Sequence, residues 1–475
     1  MLTHLILGFF LIFTYHYWSL YKRKHNKPKH LSHLKDVPIV AGELPFIGHS
    51  LKFDPTNFNF INECYQKYGK IFRIKMFRTD MIVIADRSLI DEFYKADESK
   101  LSFIEAIIRS FIGGGVAQKD EFVVTILNLL KTNLKIDYDN YLPKIKSECI
   151  SMVQFIKNSN KPIDVNEFVK KIIITSSSKC FLSLDLDEKL YNMISNYVNL
   201  LTKVLILSAM IPKIVLDLMA KPIFQYYRTN ITKFFKPTID RYRNDPEFND
   251  SMILRKSVDH IDPETNMPLI DDQISGIIIA GMFASFSSTG LGLSAMIGDL
   301  MANPEYWYRI RDETKMYVEN DDLHGMLKSV KLLDATFWET CRASSSFLPV
   351  LRYASTPNES LGEYYVGQNI LIGLCAPLLS ANDESARNIF KDPERYDPER
   401  FLEPRNEKTS SGHIVTFGGG RHMCPGRNFA KMEMEMAVVY LVNNFDPFKI
   451  VKMSKPEIMT AGGFVERKTF LVTAN

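Results

Sequence analysis

Apolar residues recur at the three- and four-residue spacing of amphipathic helices through most of the segment from Asp120 to Asn249. The stretch KIFRIKMFRTDMIVIA, from Lys70 to Ala85, instead alternates and is rich in branched side chains, which predicts two strands around a short turn. Helical stretches outweigh strands, and the sequence shows no internal repeat and no long linker. The pattern therefore predicts a mainly α protein with a small β region, built as one large domain.

The first apolar run differs from the rest of the chain. Leu2 to Leu20 contains no Asp, Glu, Lys or Arg, and about 20 such residues span a bilayer as a helix. A basic flank follows at once, and such flanks stay on the cytosolic side; its members are Lys22, Arg23, Lys24, Lys27 and Lys29. The alternatives are a cleaved signal peptide and a monotopic helix, but a signal peptide would carry its charge before the apolar run. We expect residues 1–27 to form a single N-terminal transmembrane helix with its flank, and residues 28–475 a cytosol-facing domain at the endoplasmic reticulum.

Composition excludes several classes of function. With 46% hydrophobic and 12% aromatic residues, the 475-residue chain can bury a large core, so it is neither disordered nor fibrous. A net charge of +3 without a concentrated basic face argues against a nucleic-acid binder. The six cysteines lack CxxC spacing and do not form a disulfide scaffold. The glycine runs at Gly113 to Gly115 and Gly418 to Gly420 lack the spacing of nucleotide-binding loops.

The candidate chemistry lies in the segment VTFGGGRHMCPGRNFA, which begins at Val415. Gly418 to Gly420 permit backbone conformations that let the chain lie flat against a large planar ligand. Cys424 stands just before an apolar helix, where the helix dipole and free amide hydrogens favour the thiolate. Cys424 is therefore a candidate metal ligand, although a cysteine beside a glycine turn is by itself more often an ordinary buried residue.

Phe417, Gly420, Cys424 and Gly426 stand at FxxGxxxCxG spacing, and this stretch resembles the haem-binding loop of the cytochromes P450. The resemblance extends from about Leu44 to the C-terminus. It implies the cytochrome P450 fold and haem b, with Cys424 as the axial iron ligand and Phe417 packed near the sulfur. Thiolate ligation in this family favours O–O cleavage.

Basic residues are expected around the haem propionates. Arg421 and His422, just before the cysteine, are suitably placed, and Arg352 matches a basic position that contacts a propionate in many relatives. The helix expected to supply another base reads EFVVTILNLLK, where Lys131 is the nearest base and is displaced by about one turn. The predicted cofactor-binding residues are Cys424, Phe417, Gly418, Arg421, His422, Gly426, Arg352 and Lys131.

A charge network is predicted upstream of this loop. Glu339 and Arg342 are three residues apart in a helical stretch, so they share one face and can pair. Such pairs are usually solvated surface bridges. The resemblance instead maps them onto the family's ExxR helix and maps Arg400 onto its partner arginine. This triad is expected to fix the structure and not to act in catalysis.

Within the family, the chain is most similar to the sterol 14α-demethylases, in FGGGRHMCPGRNFA, in RYASTP and in the distal helix LIDDQISGIIIAGMFASFSSTG. In that helix Ser287 and Ser288 occupy the acid and threonine positions of many relatives, and Thr289 follows. We predict these three as catalytic, with Ser288 as the proton-relay group, because a hydroxyl both donates and accepts hydrogen bonds. The alternative is that these hydroxyls only bond backbone carbonyls of a bent helix.

The substrate is less well defined by the sequence. Ile104, Gln118 and Lys119 replace residues that the sterol enzymes carry around their GxGVA segment. An apolar pocket suits a hydrophobic substrate, although each lining residue could equally belong to the core. The candidate pocket residues are Ile108, Phe111, Ala284, Ser285, Phe286, Val350, Leu351 and Met459.

The resemblance implies a monooxygenase that oxidises a lipophilic, sterol-like substrate with O2 and two electrons. The electrons would come from NADPH through a separate reductase, which would meet basic residues such as Arg421, Arg427 and Lys431. One alternative is an isomerase or dehydratase that acts on peroxides without a reductase, because some such relatives lack the relay threonine. Another is a haem-binding sensor without turnover. The expected partners are thus a membrane, a reductase and a lipophilic small molecule, with no nucleic acid.

Overall fold

The computed structural model describes residues 27–44, 47–76, 79–110, 120–133, 137–208, 213–262, 265–357, 359–382, 384–407, 414–458, 460 and 463–474. The predicted membrane segment, Leu2 to Leu20, and two predicted pocket residues, Phe111 and Met459, lie outside the described residues.

Helices make up most of the described chain. The α-helices are α1 Asn59–Tyr68, α2 Ile90–Lys95, α3 Phe103–Ser110, α4 Asp120–Asn133, α5 Tyr138–Lys157, α6 Val165–Leu182, α7 Glu188–Ser208, α8 Lys213–Asn244, α9 Met252–Val258, α10 Asp271–Ser285, α11 Leu291–Ala302, α12 Pro304–Glu319, α13 Leu323–Ser329, α14 Lys331–Ala343, α15 Glu384–Arg387 and α16 Arg427–Asn444. Helices α4 to α8 confirm the helical spacing between residues 120 and 249. Aspartates are the N-caps of α5 and α6. The side chain of Asp137 accepts a hydrogen bond from the amide of Asn140, and that of Asp164 accepts one from the amide of Asn166.

Three small sheets complete the fold. Their strands are β1 Lys35–Asp36, β2 Ile71–Met76, β3 Thr79–Ile84, β4 Leu101–Ser102, β5 Ile163–Asp164, β6 Val350–Ala354, β7 Ser360–Leu361, β8 Tyr364–Tyr365, β9 Ile370–Leu374, β10 Lys449–Met453 and β11 Phe470–Thr473. The sheet orders are β2-β3-β9-β6-β4, β1-β8-β7 and β10-β11-β5.

The largest sheet contains the predicted hairpin and positions a buried arginine. Strands β2 and β3 pair antiparallel with Ile71 opposite Ile84, which confirms the two strands predicted between Lys70 and Ala85. Strand β9 pairs parallel with β3 and antiparallel with β6, and this places Arg352 opposite Ile372. Arg352 therefore lies inside this sheet, on the strand between β9 and β4, and is buried.

A long apolar helical segment runs through the core. It consists of α10, a π-helical turn at Phe286–Gly290, and α11. Helix α10 contacts α4, α6 and α8, while α11 contacts α6, α14 and α16. Within the described residues, Asp271–Ala302 is long and apolar enough to cross a membrane, but 67% of its most apolar stretch is buried inside the protein. That burial is typical of the core helix of a large globular domain.

The core position of α10 gives a stability prediction. Ile277 is 0% exposed, whereas Ile270, just before the same helix, is 58% exposed. We expect Ile277→Ala to cost about 2–5 kcal/mol, because it removes buried methyl groups and leaves a cavity. Ile270→Ala is the matched control and should change stability by about 0.5 kcal/mol or less. Thermal melting of the two variants checks this, and equal melting temperatures would contradict the packing described here.

Candidate haem-thiolate site

The cysteine loop is held in shape by its glycines. Gly418 and Gly420 have φ of 67° and 60°, and a Cβ on Gly420 would lie 2.7 Å from the carbonyl oxygen of Tyr94. A Cβ on Gly419 would lie 2.5 Å from the Tyr94 ring. The amide of Cys424 donates to the carbonyl of Phe417 at 2.9 Å, which closes the loop. The backbone therefore packs against α2 more closely than any side chain would allow.

Cys424 lies directly before the N-terminus of α16. Of the six cysteines, all in the described part of the chain, five are buried and Cys424 is half-buried. Burial raises the pKa of the Cys424 thiol, while the amides of Gly426 and Arg427, which donate to the sulfur, and the charge of Arg427 oppose that rise. The sulfur thus already has donors arranged for a thiolate, and a bound metal cation would complete its stabilisation.

Arg352 is a buried cation among aromatic rings. Its side chain is 1% exposed, and none of its three guanidinium nitrogens has a hydrogen-bond partner in the described part of the chain. The guanidinium lies 5.4 Å from the ring centre of Phe93 and 5.2 Å from that of Phe103. Burial lowers its pKa, and the charge of Glu98 opposes this. An unpaired buried cation is costly, so the site fits a carboxylate such as a haem propionate.

His422 contacts the carboxylate of Glu98, a residue that lies just before β4. Its Nε2 lies 2.5 Å from the Glu98 carboxylate, and its ring centre lies 4.7 Å from that of Phe103. Glu98 also accepts from the Ser102 hydroxyl at 2.7 Å and from the amides that begin α3. Glu98 was not predicted as a site residue, because the two residues are far apart in the chain and no local pattern could reveal this pair. Through Glu98, the cysteine loop is linked to the helix that carries the predicted pocket residue Ile108.

The other two predicted propionate ligands lie at the rim of the loop. The side chain of Arg421 is 49% exposed, and its Nη1 lies 3.7 Å from the Asp97 carboxylate. Lys131 donates from Nζ to the carbonyl oxygen of Arg421 at 2.8 Å. Both residues therefore stand beside the loop, but the contacts that the structure shows for them are to protein groups.

The ExxR residues form a fully buried network. The Glu339 carboxylate accepts from Arg342 Nε and Nη2 at 2.8 and 2.7 Å, from Arg400 Nε at 3.0 Å, and from the amide of Asp397 at 2.8 Å. Further nitrogens of both arginines donate to backbone carbonyls, for example from Arg342 to Pro393 at 2.8 Å. Glu407 supplies a second carboxylate, 2.9 Å from Arg400 Nη1, so two buried guanidinium groups face two carboxylates. This balance is what a structural role for the network requires.

The network connects to the cysteine loop through α14. The hydroxyl of Thr416 donates to the carbonyl of Cys341 at 2.7 Å. The ring of Phe417 stacks on that of Phe337 with 5.9 Å between centres. The helix that carries Glu339 and Arg342 therefore supports the loop that carries Cys424.

Four residues in the middle of the distal helix are accessible along one face. Gly281, Ala284, Ser285 and Ser288 are accessible at i, i+3, i+4 and i+7, in a helix that is otherwise mostly buried. We call these four residues the accessible stripe. The predicted relay residue Ser288 lies on it, whereas Ser287 and Thr289 are buried at 7% and 4% exposure.

The remaining predicted pocket residues are divided among three elements. Ile108 in α3 and Leu351 in β6 are half-buried. Val350 in β6 lies against the cysteine loop, because its Cγ2 is 3.6 Å from the point where a Cβ on Gly418 would stand. The ring of Phe286 lies 5.4 Å from Lys170 Nζ and packs against Gly290, so it is turned toward α6.

The sequence similarity of this chain to known proteins supports a haem-thiolate site. Residues 38–472 match the family model for cytochrome P450. The chain is 34% identical over 420 residues to a probable lanosterol 14-alpha demethylase of Acanthamoeba polyphaga mimivirus, and the match covers 88% of this chain but only 59% of that protein. It is 24% identical to the sterol 14-demethylase of Arabidopsis thaliana, over 86% of this chain and 85% of the relative. It is 23% identical to the lanosterol 14-alpha demethylase of Homo sapiens, over 85% and 79%.

The matched residues include the cysteine loop, the Glu339 network and the distal helix. The chain therefore belongs to the cytochrome P450 family of haem-thiolate monooxygenases.

The Glu339 network gives a second stability prediction. Glu339→Gln should cost about 3–5 kcal/mol, because two buried guanidinium groups lose their anion. The control is Glu399→Gln, which removes a surface pair with Arg309 at 45% and 47% exposure and should cost about 0–1 kcal/mol. Thermal melting and the yield of folded protein measure both variants. Equal effects would contradict a structural role for Glu339.

Proposed function

We propose that this protein is a membrane-bound monooxygenase that oxidises a sterol-like substrate with O2 and two electrons from a separate NADPH-dependent reductase. The observation that carries the proposal is the accessible stripe of the distal helix, which holds the hydroxyl groups of Ser285 and Ser288 at accessible positions. The sterol assignment is supported by the three relatives described above, which are named as sterol or lanosterol 14-demethylases.

Cofactor binding is assigned to residues from three parts of the chain. When bound, haem supplies the iron at which dioxygen is activated. Cys424 would ligate the iron, with the amides of Gly426 and Arg427 moderating the charge on its sulfur. Arg352 would bind a propionate as a buried ion pair, and His422, oriented by Glu98, would hydrogen-bond beside it.

We assign substrate binding and proton exchange to residues of the distal helix, α3 and β6. Ala284 leaves space on the accessible stripe, while Ile108, Val350 and Leu351 supply apolar surface that suits a lipophilic molecule. Ser288 would exchange protons there, since its hydroxyl both donates and accepts.

Electron supply and membrane attachment belong to the same proposal. The reductase would meet the face of the cysteine loop, where Arg421 is half-exposed. Lys431 is a weaker candidate than expected, because its ammonium lies 2.7 Å from Asp334 and 3.3 Å from Glu435. Residues 1–27 would anchor the domain of residues 28–475 to the endoplasmic reticulum membrane, as the run of apolar residues and its basic flank suggest.

A peroxide isomerase or dehydratase is the second candidate. It is favoured by one observation, that the accessible stripe carries no carboxyl group for proton delivery. Such an enzyme would act without a reductase, which makes the two candidates separable in one assay.

We predict that the protein, reconstituted with a P450 reductase, NADPH and a 14-methyl sterol, forms an oxygenated sterol that contains oxygen from labelled O2. Ser288→Ala should lower this rate on the order of 10²-fold, the lower range for loss of a positioned proton donor. Ser294→Ala, buried in α11, is the matched control and should keep the wild-type rate. Mass spectrometry of the product measures both.

Product from a lipid hydroperoxide without reductase, and none from the sterol, would instead support the isomerase or dehydratase. A wild-type rate in Ser288→Ala would remove Ser288 from the mechanism.

A further inference from the structure

The carboxylate of Glu98 contacts both the start of helix α3 and the cysteine loop. Its Oε1 accepts from the amide of Phe103 at 3.1 Å, and its Oε2 accepts from the Ser102 hydroxyl at 2.7 Å and from the amide of Ile104 at 3.3 Å. Both amides belong to the first turn of α3, where an amide has no hydrogen-bond partner within the helix. The Glu98 carboxylate therefore supplies acceptors for the start of α3.

The contact with the cysteine loop involves the same carboxylate. Oε1 lies 2.5 Å from Nε2 of His422, and the side chains of the two residues are only 26% and 18% exposed. The ring of Phe103, the first residue of α3, lies 4.7 Å from the His422 ring and 5.2 Å from the guanidinium of Arg352. The first turn of α3 thus packs directly on the two residues that we propose as haem propionate ligands.

The side chain of Glu98 is a carboxylate at neutral pH. Burial alone would raise its pKa, but the hydrogen bonds from Ser102 and from the amides of Phe103 and Ile104 lower it, and the proximity of His422 adds to this effect. A charged acceptor forms stronger hydrogen bonds than a neutral one. Loss of the charge would therefore weaken every contact that Glu98 makes.

Capping of α3 does not by itself account for Glu98. Ser102, directly before α3, accepts from the amide of Glu105 at 2.8 Å, which is the contact that an N-cap serine makes. A helix cap requires no contact with a distant loop. The proximity of Glu98 to His422 therefore indicates a role beyond capping.

Helix α3 is short and mostly half-buried. It has eight residues, and between Phe103 and Arg109 only Ala106 is buried. A helix of this length is not stable without tertiary contacts. It packs against β6 and α4, and it carries the predicted pocket residue Ile108. The position of Ile108 therefore depends on how the start of α3 is held.

We propose that Glu98 is a positioning residue that couples the haem site to the substrate pocket. The proposal rests on the proposed monooxygenase function. With a propionate bound to Arg352, the ring of His422 beside it is fixed, and through Glu98 it fixes the start of α3. Ile108 then lies in its substrate-binding position. Glu98 acts in this way without touching the substrate or the reacting atoms.

Coupling of this kind acts in both directions. If an occupied cofactor site orders α3 for the substrate, bound substrate strengthens haem binding by the same factor, because the coupling free energy between two sites is reciprocal. The effect should disappear when Glu98 no longer links α3 to His422. A residue that only caps α3 predicts no such effect on the cofactor.

The test compares three variants of the full chain, each loaded with haem, with a 14-methyl sterol as the probe. Glu98→Gln keeps the size of the side chain and removes its charge. Ser102→Ala removes the N-cap hydroxyl and leaves the carboxylate beside His422. Glu105→Gln is the matched control, because Glu105 lies on the same helix but pairs with Arg109 at 2.9 Å, where the two side chains are 40% and 51% exposed.

We expect Glu98→Gln to raise the dissociation constant of the sterol, read from the shift of the haem spectrum, by about 10-fold, within the range of coupling between two sites. Its KM should rise with the dissociation constant. Its kcat should stay at the wild-type value, because the interaction that is lost contributes equally before and during the reaction. Glu105→Gln should match the wild type in all three quantities.

Haem retention measures the coupling without turnover. In competition with apomyoglobin, the sterol should increase the share of haem kept by the wild type, by Ser102→Ala and by Glu105→Gln, but not by Glu98→Gln. Hydrogen exchange of the α3 amides requires no substrate, and it should be faster in Glu98→Gln than in Glu105→Gln, because local opening of a helix follows the loss of its tertiary contacts.

The outcomes distinguish the coupling from the proposed function. A sterol effect on haem retention that survives in Glu98→Gln, or that is lost equally in Ser102→Ala, would overturn the coupling and leave the monooxygenase proposal standing. Absence of sterol binding by the wild type would overturn the sterol assignment. Hydrogen exchange would then decide the link by itself, and wild-type protection of α3 in Glu98→Gln would overturn it.

Discussion

The carboxylate of Glu339, held between two guanidinium groups in the core, determines where the cysteine loop can lie. It receives four hydrogen bonds from Arg342, Arg400 and the amide of Asp397, and so fixes α14 against the segment that follows α15. Because α14 contacts Thr416 and Phe417, the same network fixes the start of the loop. The position of the Cys424 sulfur at the N-terminus of α16 follows from that support.

The buried arginines of this protein differ in whether their guanidinium groups have hydrogen-bond partners. Arg342 and Arg400 are matched by Glu339 and by backbone carbonyls, and a fully matched network makes a core rigid. Arg352 is equally buried, yet its guanidinium has no hydrogen-bond partner among the described residues. A cation in that state is expected where an anionic ligand binds. The contrast supports our proposals that the first pair stabilises the fold and that Arg352 binds the cofactor.

Features that depend on residues close together in the chain could be predicted from the sequence. Alternation between Lys70 and Ala85 revealed a hairpin, and the spacing of the residues around Cys424 revealed the loop, because in each case the residues that matter are close in the chain. Contacts between distant residues had no such pattern. Glu98 beside His422, and Phe103 beside Arg352, depend on how separate parts of the chain pack, which spacing within one segment cannot show.

The structure narrows two sets of residues predicted from the sequence, the catalytic hydroxyls and the basic residues that would meet a reductase. Of the three predicted catalytic residues only Ser288 lies on the accessible stripe, while its neighbours Ser287 and Thr289 are buried. Lys431 looked free for docking a reductase, but Asp334 from α14 reaches its ammonium. In both cases the position of the residue in the fold, and not the residue type, decides the outcome.

The central claim is that Cys424 binds haem iron as a thiolate, and the carbon monoxide difference spectrum of the reduced protein tests it most directly. We predict a Soret band at the position of thiolate-ligated haem in the wild type, which moves to the position of histidine-ligated haem in Cys424→His. Folded wild-type protein that binds no haem, or an unchanged thiolate band in Cys424→His, would contradict the account.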